Sequence, residues 1–183
     1  MINYYIKQQQ LKKAILQNRD KLYRLALSWT QDPLLADDLV QDAQHKAITS
    51  LSQLRDENKL NSWVCSILVN NYRDWLRKQK DTVDIDSLEI NAAENPYKLY
   101  ETEQTSQLVR SAIGRLNEQH KYVLTMVDLM GFSYEEVAFA LGIPIGTVMS
   151  RLCRARNNLH QMLSKHFANE FTPDSIARLR RVK

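Results

Sequence analysis

The stretch GTVMSRLCRAR, residues 146–156, decides the fold of the last third of the chain. Hydrogen-bonding side chains recur in it at the helical offsets i, i+3, i+4 and i+7, and these are Thr147, Ser150, Arg151 and Arg154. Apolar side chains repeat on a second stripe, which is the predicted buried side, and these are Val148, Leu152, Ala155 and Leu159. The stretch therefore predicts an amphipathic helix with a donor-rich face.

A second, shorter helix is predicted just before it. Ser133 and Glu136 have the spacing of a capping box, the helix runs through Leu141, and Gly142 suits a left-handed helix end. Two helices joined by a tight turn, the second with a donor-rich face, are typical of a helix-turn-helix that reads the major groove. The alternative is an ordinary helical hairpin. Arg156 lies off the donor-rich stripe, so either a flanking phosphate or an internal ion pair is expected for it.

The composition predicts an all-α protein. The chain has 183 residues with four Gly and four Pro, and its apolar residues recur at helical spacing without alternating stretches. The uncharged apolar runs are too short to cross a bilayer and the first residues lack a signal-peptide pattern, so a cytoplasmic protein is expected, without membrane insertion. Cys65 and Cys153 are expected to be buried and reduced, and neither has the partners of a metal site.

Charge divides the chain into segments. Residues 1–80 carry 13 basic and 8 acidic side chains, residues 81–107 carry 1 and 7, and residues 108–183 carry 11 and 6. Two basic bodies on either side of an acidic connector favour a polyanion partner for each body, and the alternative is that these charges form only solvated faces. The predicted organisation is a domain over 1–80, a flexible acidic linker over 81–105, a helix-turn-helix domain over 106–165 and a basic tail over 166–183.

Helix boundaries can be predicted in the first domain. One long opening helix is expected to run to about Trp29, and Asp32 is expected to cap the next helix with Pro33 in its first position. Ser62 is the predicted cap of a further helix that extends to about Lys80.

Longer stretches resemble a known family. GFSYEEVAFALGIPIGTVMSRLCRARNNL, residues 131–159, resembles the promoter-binding helix-turn-helix of bacterial RNA polymerase sigma factors, and is most similar to the two-domain extracytoplasmic-function group. LYRLALSWTQDPLLADDLVQDAQHKAI (22–48) and NSWVCSILVNNYRDWLRKQK (61–80) resemble the N-terminal domain of that group. The similarity covers residues 10–80 and 106–164. The resemblance implies an initiation factor, not an enzyme, that takes core RNA polymerase to specific promoters and needs no cofactor.

The resemblance also implies which residues make which contacts. The core polymerase contacts, to the clamp helices of the largest subunit, fall on Asp37, Asp38, Gln41 and Asp42, with Leu39 and Val40 in the core. The residues implied to contact the −10 element are Arg55, Asn58, Lys59, Asn70, Asn71, Arg73 and Arg77. Asp74 is implied to be the partner of an arginine. The residues implied to contact the −35 element are Thr147, Ser150, Arg151, Arg154 and Arg156. A magnesium site is the competing interpretation of the acidic run, but no further ligand cluster supports it.

Further partners follow from the same resemblance. The polymerase flap, promoter DNA and an anti-sigma factor are implied, and a small-molecule substrate is not. The chain departs from the family pattern at Gln44 and His45, where an apolar residue is usual. The alternative function is a stand-alone helix-turn-helix regulator that binds duplex operator DNA, with residues 1–80 as a sensing or dimerisation domain.

Overall fold

The computed structural model describes residues 2–82 and 101–170, and within them every regular element is helical, which confirms the all-α prediction. The N-terminal bundle consists of α1 (Ile2–Gln17), α2 (Arg19–Thr30), α3 (Pro33–Thr49) and α4 (Leu60–Thr82), with short 3-10 turns at Leu51–Gln53 and Glu57–Lys59. The C-terminal bundle consists of α5 (Glu101–Gly114), α6 (Glu118–Leu124), a widened π turn (Thr125–Leu129), α7 (Tyr134–Leu141) and α8 (Ile145–Glu170).

The start of α3 is as predicted. Asp32 Oδ1 accepts hydrogen bonds from the backbone N–H groups of Leu34 at 2.8 Å and Leu35 at 3.2 Å. Pro33 is the first helical residue, where its missing N–H costs nothing. The predicted cap is therefore confirmed.

Two predicted boundaries are wrong. The single opening helix is two helices that break at Asn18, whose side-chain amide donates to Asn61 Oδ1 of α4 at 2.8 Å. α4 begins at Leu60 rather than after Ser62, because the second 3-10 turn runs directly into it. The Ser62 hydroxyl donates instead to the carbonyl of Lys59 at 3.0 Å. A tertiary contact therefore accompanies the break at Asn18, whereas the start of α4 is set locally by the second 3-10 turn.

The two bundles share one continuous apolar core. At its centre the ring of Trp29 lies 5.1 Å from that of Tyr122, nearly perpendicular to it, and 5.7 Å from that of Tyr72. Trp29 and Tyr72 belong to the N-terminal bundle and Tyr122 to the C-terminal bundle. Leu39 and Val40 are buried, as predicted. The N-terminal bundle therefore packs directly on the C-terminal bundle.

Gln44 is buried, and it has a structural role at this departure from the family pattern. Its side-chain amide donates to the carbonyl of Ile15 at 2.8 Å, in the last turn of α1. Carbonyls in the last turn of a helix have no partner within the helix, so Gln44 satisfies one of them and ties α3 to α1.

The helix-turn-helix is formed by α7 and α8, whose axes are bent by 102° relative to each other. Ser133 and Glu136 make both bonds of the predicted capping box, at 2.8 and 3.2 Å. Gly142 ends α7 with φ +65°, which glycine adopts without steric cost. The structure therefore confirms the helix-turn-helix and excludes a hairpin of antiparallel helices.

Other predictions fall partly outside the described residues. The predicted linker is bordered by α4, which continues to Thr82, and by α5, which begins at Glu101, while 83–100 lie outside the description. Most of the predicted tail, 171–183, also lies outside it.

Cys65 is buried but Cys153 is exposed, so the expectation for Cys153 is wrong. Among the described residues no single helix is long and apolar enough to span a membrane, although the bent pair α7 and α8 meets that test together.

Candidate nucleic-acid interface

The donor-rich face of α8 is open to solvent. Ser150 and Arg154 are exposed, and Thr147 and Arg151 are partly exposed. The opposite stripe is buried as predicted, with Val148, Leu152 and Ala155 at most 2% exposed and Leu159 partly buried. The core thus fixes the rotation of α8 and turns its donors outward. Such a face can enter a major groove and donate to base edges and phosphates.

His120 of α6 adds to this face, and sequence reasoning missed it. Burial lowers the pKa of the His120 imidazole, and the positive charges of Arg154 and Arg151 lower it further. The imidazole thus lies close enough to Arg154 and Arg151 for their charges to act on it. Only the packing of α6 on α8 brings these residues together, so spacing in the sequence gives no signal for it.

Arg156 forms an ion pair with another residue of the protein. Its Nε lies 3.1 Å from Asp128 Oδ2 and its Nη2 lies 2.6 Å from Asp128 Oδ1, a two-point ion pair between α8 and the π turn. These hydrogen bonds raise the pKa of Arg156. Of the two roles predicted for Arg156, the structure contains the internal ion pair.

α4 presents a second polar face. Asn70, Arg73 and Arg77 are all exposed on it. Asp74 forms an ion pair with Arg77, which agrees with its predicted role as the partner of an arginine. The guanidinium of Arg73 lies over the ring of Tyr122, 5.3 Å from its centroid, and so contacts the C-terminal bundle. A cation over an aromatic face is attracted by the ring quadrupole.

Asn71 points away from that face. It is 7% exposed, and its Oδ1 accepts a hydrogen bond from Lys46 Nζ at 2.6 Å, which joins α4 to α3. Its side-chain N–H₂ is buried without a partner. In this arrangement Asn71 does not present its amide to an incoming base, although it was predicted together with Asn70.

A cleft of about 250 Å³ opens between α3, the first 3-10 turn and α4. Gln53, Trp63 and Asn70 line it, together with the edge of Asn71. It combines an amide-rich wall with an aromatic side chain, which suits a planar group with hydrogen-bonding edges. Gln53 was not among the predicted contacts, because the fold brings it from the first 3-10 turn to Asn70, whereas Trp63 lies on the same helix as Asn70.

The loop before α4 lies outside that cleft lining. Arg55, Asn58 and Lys59 are exposed there. The backbone N–H of Asn58 is held by Asp56 Oδ1 at 3.0 Å, which shapes the turn. The ammonium of Lys59 lies over the ring of Phe139 in α7, 5.0 Å from its centroid, so Lys59 also contacts the C-terminal bundle.

The acidic face of α3 is divided in two by helical geometry. Asp37 pairs with Arg19 and accepts a hydrogen bond from Gln41 at 2.8 Å, so both predicted residues are part of one intramolecular network. Asp38 and Asp42 are exposed on the neighbouring line of the helix and face the groove between α3 and α4. Among the described residues no group of His, Cys, Asp or Glu is placed to hold a metal ion.

Comparison with known proteins matches both bundles. The family described as Sigma-70 region 2 matches residues 14–82, and Sigma-70, region 4 matches residues 106–159. An ECF RNA polymerase sigma factor, EcfG of Rhodopseudomonas palustris (strain TIE-1), is 30% identical over 173 residues, which are 92% of this chain and 93% of that one. The ECF RNA polymerase sigma-E factor of Escherichia coli (strain K12) is 34% identical over 131 residues, 65% and 69% of the two chains.

Solved structures agree in fold. The sigma factor RpoE from Bartonella quintana, solved in complex with the anti-sigma factor NepR, superimposes with a TM-score of 0.70 at 27% identity, and covers 85% of this chain and 97% of that one. CnrH, solved with the cytosolic domain of CnrY, superimposes with a TM-score of 0.65 over 86% and 90% of the two chains. At 23% identity that second likeness shows the fold alone.

Proposed function

The chain belongs to the ECF sigma factors of RNA polymerase, and from that premise we propose what each of its surfaces does. It binds core RNA polymerase and directs it to a specific set of promoters, as a regulatory factor and not as an enzyme. It acts in the cytoplasm, where polymerase and promoters are. The region 2 match over residues 14–82 disfavours the stand-alone regulator, in which those residues would form a sensing or dimerisation domain.

The α8 face reads the −35 element. Ser150 and Arg154 are exposed and Arg151 is partly exposed, so all three can reach a groove without rearrangement of the core. An arginine can donate two hydrogen bonds to a guanine, while serine and threonine serve either base or phosphate. Arg156 stabilises the bundle through Asp128 and contributes to DNA binding only indirectly.

The α4 face and the adjoining cleft read the −10 element. Promoter opening takes bases out of the stack, and a flipped base needs a pocket with hydrogen-bonding edges and an aromatic contact. The cleft beside Asn70, Gln53 and Trp63 has these properties. Arg73 and Arg77, on the same face of α4, suit the flanking phosphates. Arg55, Asn58 and Lys59 border this surface from the loop, and Asn71 supports it through Lys46.

The α3 face binds the clamp helices of the polymerase. Asp38 and Asp42 are the exposed acidic residues of that helix face, within a basic domain. Acidic side chains repel DNA but complement a basic protein surface. Asp37 and Gln41 hold the neighbouring line of α3 in place through Arg19. The polymerase flap and an anti-sigma factor are the further partners that the family implies.

One observation carries the proposal: the chain contains a region 2 and a region 4 in order, and the region 4 helix-turn-helix has a buried stripe that turns its donors outward. The test is gel filtration of the protein with core RNA polymerase, followed by run-off transcription on fragmented genomic DNA. Co-elution with new, discrete transcripts is expected. Tight binding to duplex DNA alone, without co-elution, would instead establish a stand-alone regulator.

Variants separate the surfaces. Asp38→Asn with Asp42→Asn keeps the side-chain shape, removes two negative charges and is expected to weaken core binding. Asp20→Asn is the matched control, since Asp20 is an exposed acid in the first turn of α2. Arg151→Ala is expected to spare core binding and to weaken transcription from promoters that depend on a −35 element. If both changes impair core binding equally, the assignment of functions to the two bundles is wrong.

A further inference from the structure

The exposed side of α8 contains an apolar residue that the donor-rich face does not explain. Met149 is 53% exposed, between the buried Val148 and the exposed Ser150. Ile145, four residues earlier and therefore on the same side of the helix, is 43% exposed. Neither Met149 nor Ile145 was among the predicted contacts, because those were chosen for their hydrogen-bonding side chains.

The fold uses its other described methionines differently. Met126 is buried, and Met130 and Met162 are partly buried against the core. Methionine is a flexible apolar side chain that fills gaps in cores and adapts to binding surfaces. A single exposed apolar residue is common in proteins, but Met149 lies in the first two turns of α8, and this part of a recognition helix contacts base edges.

Helical geometry places Met149 at one edge of the exposed face and the donors toward the other edge. Successive residues of a helix point about 100° apart, so Ser150 lies about 100° round the helix from Met149, and Arg154 lies about 40° beyond Ser150. A helix with its side chains is about 10–12 Å across, and the major groove is about 12 Å wide. A helix that enters the groove therefore brings both edges of this face to the DNA.

Gly146 leaves the helix surface low between Met149 and Ser150. It is exposed, and it lies about 60° from Met149 and about 40° from Ser150 round the helix. Among the described residues, a β-carbon built on Gly146 meets no atom within 4 Å beyond its own turn of the helix. The open space faces outward, so it allows the helix backbone and the Met149 side chain to approach a base pair closely.

The chemistry of the major groove decides what Met149 recognises. The base pairs present hydrogen-bond donors and acceptors there, and the apolar group among them is the C5-methyl of thymine. A thioether donates no hydrogen bond and accepts weakly, so against a polar base edge it would displace water without replacing its hydrogen bonds. Against a thymine methyl group it removes apolar surface of both partners from water.

We propose that Met149 selects a thymine in the −35 element through apolar contact with the C5-methyl group of that base. This inference rests on the proposed function. The donors of α8 bind polar base edges toward one side of the groove. Met149 adds a preference that these donors do not supply, because a hydrogen bond to a base edge does not detect the methyl group.

Exchange of thymine for uracil tests the proposal, because uracil lacks the methyl group and keeps the same hydrogen-bonding edge. Promoter duplexes are taken from the run-off experiment, and each thymine of the −35 element, on either strand, is replaced in turn. The affinity of the polymerase complex for each duplex is measured by competition in fluorescence anisotropy. The complex is formed with the unchanged protein, with Met149→Ala or with Leu16→Ala. Leu16 is the matched control, since it is 55% exposed and lies in α1, outside the proposed contacts.

At one thymine the exchange is expected to weaken binding of the unchanged protein and of Leu16→Ala about threefold to fivefold, the equivalent of one buried methyl group. The same exchange is expected to leave the binding of Met149→Ala unchanged. A thermal melt of Met149→Ala is expected to match that of the unchanged protein, since the residue is exposed. The proposal is overturned if no thymine shows the effect, or if the effect is as large in Met149→Ala as in the unchanged protein.

Failure of the proposed function has a different result. If discrete transcripts appear and uracil is tolerated at every position, the proposed function stands and the role of Met149 is refuted. If no polymerase complex forms, the proposed function fails, and the exchange is made in the duplex that the protein alone selects from a random library. A methyl effect that is lost in Met149→Ala would still assign Met149 to a thymine, whereas absence of any duplex binding would overturn both proposals.

Discussion

Thr125→Val is expected to weaken the packing of the two bundles out of proportion to its small change in shape. The substitution removes the hydroxyl that accepts the indole N–H of Trp29 at 2.9 Å. Trp29 is 2% exposed, so its donor would be buried without a partner. Leaving a buried donor unsatisfied costs about 1–3 kcal/mol. For a protein of this size that corresponds to a decrease of roughly 2–12 °C in Tm.

The chain offers a matched control for this change. Thr49 also lies in a helix, and its hydroxyl also donates to the carbonyl four residues earlier, at 2.9 Å against 2.7 Å for Thr125. Thr49 is exposed and its hydroxyl makes no contact with the other bundle. Thr49→Val is therefore expected to change the free energy of unfolding by less than about 0.5 kcal/mol, as surface substitutions generally do.

The assay is urea unfolding followed by circular dichroism and by tryptophan fluorescence, with a double-mutant cycle. In a Trp29→Phe background there is no indole donor, so Thr125→Val is expected to cost much less than in the unchanged protein. The coupling free energy between the two positions is expected to be about 1 kcal/mol or more. Equal costs for Thr125→Val in both backgrounds, or equal costs for Thr125→Val and Thr49→Val, would refute the reasoning.

Three further predictions concern other parts of the molecule. Arg154→Ala is expected to weaken binding to −35 DNA by about 1–3 kcal/mol, the value of a two-point base contact, in a fluorescence anisotropy titration of the polymerase complex. Arg156→Ala is expected mainly to lower stability, by up to about 1 kcal/mol in a thermal melt, since its ion pair with Asp128 is half exposed. The reverse pattern would contradict these assignments. Burial raises the pKa of Tyr72 to about 12. Protonated Tyr72 therefore stabilises the fold at pH values below the ordinary tyrosine pKa of about 10, and this stability is lost as pH rises toward 12. Absorbance at 295 nm and unfolding at each pH would detect the change, and ionisation of every tyrosine at about pH 10 in the folded protein would count against it. Maleimide is expected to label the exposed Cys153 within minutes, as read by mass spectrometry of tryptic peptides. Cys65 is buried, and burial raises its pKa to about 12, so it is expected to stay unlabelled until the protein unfolds. Early labelling of Cys65 would show that the core opens there.

The helix starts and the rotation of α8 were predictable from the sequence, because residues close together in the chain determine them. Asp32 with Pro33, and Ser133 with Glu136, specify helix starts through bonds that each stretch makes within itself. The stripe of Val148, Leu152 and Ala155 likewise fixed the rotation of α8, and with it the donor-rich face. These features need no knowledge of the rest of the chain.

The packing between the bundles was not predictable in the same way. Trp29 and Tyr122 look like core residues of their own bundles, and nothing in their spacing says that they meet. Lys121 is a charged residue, which composition rules place on the surface, yet it is buried against the end of α2. Adjacent residues on a helix point about 100° apart, so Asn70 is exposed and Asn71 buried, although both fit a base-reading role by chemistry.

The close approach of Gly114 to Gln31 also has an evolutionary consequence. A methyl group at position 114 would lie 3.1 to 3.2 Å from three atoms of the Gln31 side chain, a tight fit between residues that are far apart in the sequence. The sizes of these two residues therefore depend on each other, because a side chain at position 114 needs the Gln31 side chain to move by a few tenths of an ångström. A chimera that joins residues 1–82 of this chain to the C-terminal half of a relative with a larger residue at position 114 would therefore fit only where the side chain at position 31 can move aside.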